Sequence, residues 1–150
     1  MLFRSSESPQ SFRKTLRGKL VERDGRLHVE LGEESLPGRV RRALADGTIR
    51  RVVVIGQGTA AVAGQALALA LGAFTAESPL EVTALPATEL SGFGLRSDLS
   101  DTLTVAISQS GTTTDTNRTV DLIRARGGSV IAIVNRRQSD LTDKADGVLY

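Results

Sequence analysis

Short runs of β-branched and other apolar residues, separated by glycine-bearing turns and helical stretches, constrain this chain more than any other feature. They lie at residues 52–55, 81–85, 102–107 and 130–134, with a fifth at 148–150. The run Val52-Val53-Val54-Ile55 has no polar member, as expected of a strand covered on both faces. Residues 59–71 and 113–126 read as helices, the second stopped by Gly127 and Gly128, and 139–145 as a shorter one. Strands alternating with helices imply right-handed βαβ units. The predicted fold class is therefore α/β, a three-layer αβα sandwich around a five-stranded, mainly parallel, flavodoxin-like sheet. A strand order of 2-1-3-4-5 puts the topological switch between the first and third strands, where ligands bind outside the carboxyl ends.

The division of the chain falls near Arg51. Residues 1–51 read as an N-terminal arm or linker with a short helix at 33–45, and 52–150 as the domain. The arm holds 12 of the 19 basic residues and 7 of the 17 acidic ones, without interleaved aromatics, so no nucleic-acid partner is expected. At 150 residues the chain suits one domain. No apolar stretch approaches the roughly 20 residues of a membrane span, and residues 1–13 lack the apolar core of a secretory signal, so no membrane partner and a cytoplasmic location are expected. Cysteine is absent and His28 is the only histidine, which excludes disulfides, thiolate nucleophiles and zinc–sulfur sites. The scattered acids match no calcium loop, and no metal or cofactor is predicted.

Two loops should meet at the crevice. Ser108-Gln109-Ser110-Gly111-Thr112-Thr113 packs hydroxyls and a glycine between a strand and a helix start. Backbone N–H groups, the helix dipole and neutral hydroxyls there suit one anion such as a phosphate monoester. Plain helix capping by Thr112 with Asp115 is the competing explanation. The other loop, Gly56-Gln57-Gly58-Thr59-Ala60, has the place of a dinucleotide fingerprint. The second strand ends Ala84-Leu85-Pro86-Ala87, however, with no acid for a ribose, so a ligand smaller than NAD is expected. Glu89, Ser91, Arg96, Asp98 and Asp101 before the third strand, and Asn135 to Arg137 after the fourth, read as solvated loop residues or caps that a ligand could also touch.

These two loops, with Thr15-Leu16-Arg17-Gly18-Lys19 ahead of them, are similar to segments of the sugar isomerase (SIS) domain family. Within it the chain most resembles the isomerase domain of the glutamine–fructose-6-phosphate aminotransferases (glucosamine-6-phosphate synthases). The resemblance implies a phosphosugar-binding SIS domain of amino-sugar metabolism. Ser108, Gln109, Ser110, Gly111 and Thr113 would hold the phosphate, and Gly58 and Thr59 would form the neighbouring wall. The expected partner is fructose 6-phosphate or a similar sugar phosphate, in a homodimer. Where the family has serine after Gly-Thr this chain has Ala60, and where it has glutamate after Ser-Gln-Ser-Gly it has Thr112. The glutaminase cysteine and the acid–base residues of ring opening have no counterpart, so the chain is expected to be a piece of a longer aminotransferase or isomerase and inactive alone. The alternative is a non-catalytic SIS sensor that binds a phosphosugar to regulate a partner.

Overall fold

The computed structural model describes residues 2–150, and side chains from residue 7 onward. Met1, the first residue of the predicted arm, lies outside them. The chain forms two compact units, Met1–Gly32 and Glu33–Tyr150.

The first unit holds helix α1 (Leu2–Leu16) and an antiparallel hairpin of β1 (Leu20–Arg23) and β2 (Arg26–Val29). Asp24 and Gly25 make its turn, both with positive φ (53° and 71°), the backbone that Asp-Gly hairpins favour. His28 lies exposed on β2.

The second unit holds α2 (Gly38–Ala45), β3 (Arg51–Gly56), α3 (Thr59–Phe74), β4 (Glu81–Pro86), the single turn α4 (Ala87–Glu89), β5 (Thr102–Ser108), α5 (Thr114–Arg124), β6 (Ser129–Val134), α6 (Asp140–Lys144) and β7 (Gly147–Leu149). All five strands run parallel in the order β4-β3-β5-β6-β7, the flavodoxin-like order predicted. The pleat sends alternate residues to opposite faces. Val52, Val54, Leu103, Val105 and Ile131 pack with Val40 of α2 and Ala68 of α3. Ile55, Ala106, Val130, Ala132 and Val134 pack with Val120 and Ile123 of α5 and Leu141 of α6. Two cores on one sheet make the three-layer sandwich.

The sheet-bearing unit starts ahead of the boundary expected near Arg51. Val40 and Ile49 are core residues, 1% and 3% exposed, and the Val148 N–H donates to Glu34 O at 2.7 Å, so residues from Glu33 on belong to the sheet-bearing unit. Asp146, its side chain only 5% exposed, accepts hydrogen bonds from Val130 N at 2.8 Å and Arg124 Nη1 at 2.6 Å and also pairs with Arg39. One carboxylate thus ties α2, α5 and β6 together. The connection after β4 is also more ordered than expected: α4 continues into a π-helical turn, Leu90–Gly94, that buries Ala87 and Leu90.

Candidate functional site

Because β3 and β5 are neighbours and their crossovers leave in opposite directions, their carboxyl ends open a crevice. On one side, Gly56 ends β3. A β-carbon on it would stand 2.6 Å from the Ala60 carbonyl carbon, so only glycine lets the chain fold back so tightly into α3. Gly58 precedes α3 with φ 58°, and Ala60 N and Ala61 N donate to Gln57 O and Gly58 O at 3.2 and 3.0 Å.

On the other side, the buried hydroxyl of Ser108 ends β5. Its Oγ accepts from Gly111 N at 3.1 Å and lies 3.3 Å from Thr113 Oγ1. Ser110 Oγ accepts from Thr112 N at 3.2 Å and from Thr112 Oγ1 at 3.0 Å, which leaves the Ser110 proton free to donate. The loop is braced from three directions. Asn117 Nδ2 donates to Gly111 O at 3.0 Å and Thr113 O at 3.1 Å, Leu141 N donates to Gly111 O at 3.1 Å, and Asn135 N donates to Gln109 O at 3.2 Å.

The capping explanation of this loop does not hold. Thr113, not Thr112, is the N-cap of α5, and it makes no side-chain cap hydrogen bond. Its hydroxyl turns to Ser108 instead.

Between the loops lies a cleft of about 260 Å³ lined by Gln57, Thr59, Ala60, Ile107, Ser108, Gln109, Ser110 and Thr113. Of the residues singled out from sequence, Thr59, Ser108, Gln109, Ser110 and Thr113 meet there, while Gly58 and Gly111 shape the backbone through positive φ. Its lining carries no charged side chain, so it offers neutral O–H and N–H donors at the start of α5. Sequence reasoning missed Gln57, which lines the cleft, and Asn117, which braces it. Their signals were a polar residue between two glycines at a strand end, and an amide four residues after a helix cap.

The charged connections lie elsewhere. Arg51 pairs with Glu81 at 3.1 Å at the amino ends of β3 and β4, so the acid of β4 stands at the wrong end for a nucleotide ribose. Arg96 pairs with Asp101 and donates to Thr102 Oγ1 at 2.9 Å. The hydrogen bond from Arg96 to Asp101 lowers the Asp101 pKa and raises that of Arg96. A second hollow of about 200 Å³ opens there over an apolar floor of Val53, Leu85, Leu90 and Ile123, its two arginines already engaged by these ion pairs. After β6, the Arg137 guanidinium lies 4.8 Å from the centre of the Tyr150 ring. Among the described residues, no three His, Cys, Asp or Glu side chains converge as metal ligands, and no helix is long and apolar enough to cross a membrane.

Residues 48–150 match the family profile described as SIS domain. The whole chain is 36% identical, over 152 aligned positions, to glutamine–fructose-6-phosphate aminotransferase [isomerizing] of Streptomyces coelicolor, and spans 22% of that relative's length. Among solved structures, the C-terminal domain of glucosamine-fructose-6-phosphate aminotransferase from Francisella tularensis superposes with a TM-score of 0.74 at 20% identity, over 96% of this chain and 36% of the other. The Vibrio vulnificus NanR protein complexed with ManNAc-6P superposes with a TM-score of 0.66 at 18% identity, over 97% of this chain and 48% of the other. At these identities the structural matches speak for the fold.

Proposed function

This chain belongs to the SIS domain family, and from that premise we propose that the cleft between Gln57 and Thr113 binds the phosphate of a phosphosugar such as fructose 6-phosphate. The observation that carries the reading is the Ser108–Thr113 loop itself. Ser108 and Ser110 use lone pairs inside the loop, which leaves the Ser110 proton to donate, and the first amides of α5 have no side-chain cap. A compact dianion is the acceptor that such a set of neutral donors suits. The NanR protein, part of which shares this fold, was solved complexed with ManNAc-6P, and that supports the ligand class.

In a longer protein the domain would serve amination and isomerisation, as the name of the Streptomyces relative suggests. This chain, cysteine-free and spanning 22% of that relative, would bind without turnover, and it would do so in the cytoplasm. We also propose that copies pair through α3, which has no charged residue and exposes Val62, Leu69 and Phe74.

Calorimetric titration with fructose 6-phosphate, inorganic phosphate and NAD tests the ligand class. Binding of the first two and not the third is expected. NAD binding without phosphosugar binding would overturn the reading. Glucosamine 6-phosphate formation by this chain alone would overturn its assignment as a binding domain.

A further inference from the structure

Gln57 stands between the two glycines of the first loop, and its carbonyl side-chain oxygen is buried without a hydrogen-bond partner among the described residues. An acceptor held out of water with no donor destabilises a fold unless something supplies one. Across the cleft stand the hydroxyls of Ser108, Ser110 and Thr113, the donors assigned above to the phosphate. A phosphate dianion brings acceptors only, so it cannot satisfy Gln57 Oε1. A sugar hydroxyl brings a proton as well as lone pairs, and the Gln57 amide offers one acceptor and two donors to meet it.

We propose that Gln57 reads a hydroxyl of the sugar and so determines specificity for the polyol end of the ligand, an inference that rests on the phosphosugar reading above. The terminal amide torsion of glutamine is soft, so the amide can present its acceptor or a donor to a sugar hydroxyl without moving the backbone. The backbone there is held independently, by Gly56 packed against Ala60 and by the Ala60 N–H on Gln57 O at 3.2 Å. Division of labour follows: the Ser108–Thr113 side binds the phosphate, and Gln57, on the opposite lip, binds the carbon chain.

The test compares the wild-type chain with Gln57→Leu by calorimetry, using inorganic phosphate and fructose 6-phosphate, with melting temperatures of the unliganded proteins. Gln57→Leu should lower affinity for fructose 6-phosphate by about three- to tenfold, the scale of one neutral hydrogen bond, and leave affinity for inorganic phosphate in place. Its melting temperature should stay level or rise, because the orphaned acceptor is gone. Unchanged fructose 6-phosphate affinity, or an equal fall for both ligands, overturns the role of Gln57 while leaving the phosphate site standing. A lower melting temperature with both affinities reduced would make Gln57 a structural residue. Wild-type chain that binds neither ligand would overturn the phosphosugar reading itself, and this inference with it.

Discussion

Gly111 lies directly against Ser139: a β-carbon at position 111 would stand 1.9 Å from Ser139 Oγ and 2.6 Å from its Cβ. Ser139 is buried, and Gly111 has φ 70°, so glycine is needed there for both space and backbone conformation. Gly111→Ala should therefore cost about 2 to 5 kcal/mol, from left-handed strain and overpacking together. It should also displace the loop and abolish phosphosugar binding. Urea denaturation and calorimetry check both effects, and a variant of native stability would refute the packing argument.

Ser110→Ala should separate binding from folding. Thr112, exposed, can turn its N–H and hydroxyl to water once Ser110 Oγ is gone, so stability should change little. Losing a hydrogen bond to a charged ligand costs roughly 1.5 to 3 kcal/mol, about ten- to hundredfold in affinity for fructose 6-phosphate. Equal calorimetric affinities for wild type and variant would remove Ser110 from the site.

The ion pair of Arg96 and Asp101 sets an acid-side stability trend. Asp101 has a folded-state pKa below its usual value because Arg96 donates to it. Its contribution is then fully present above the unfolded carboxylate value, about pH 3.9, and is lost as pH falls through the lower folded value. Asp101→Asn should lower stability at pH 7 and flatten the loss of stability below about pH 4. Denaturation curves at several pH values measure this. Parallel curves for the two proteins would show that the pair contributes nothing to folding.

Pairing through α3 predicts a charge-sensitive oligomer. Leu69 is 78% exposed on a helix without a charged residue, and Leu69→Glu would bury a carboxylate in any apolar interface there. Sedimentation analysis should show the wild-type chain self-associating and the variant monomeric. A monomeric wild type, or an unaffected oligomer, would exclude that face.

Legible in the residues alone were the alternation of strands and helices and the hydroxyl-rich loop. Each is written in local chemistry: β-branched runs such as 52–55, a glycine stop at Gly127 and Gly128, and a row of Ser and Thr between strand and helix. Which distant residues complete those local elements follows from the packing alone. Val40 and Ile49 read as part of the arm, Val40 on its short helix, yet the sheet face they cover draws them into the core. Arg96 and Asp101 occupy the amino edge of the sheet, away from the crevice, because the chain after β4 turns through a π-helical segment that periodicity does not announce. Asn117 braces Gly111 and Thr113, and Gln57 is left with an unsatisfied oxygen, only because the packing of α5 and the turn at Gly56 bring some partners close and shut others out. Hydrogen-bond satisfaction depends on three-dimensional proximity, which sequence periodicity does not specify.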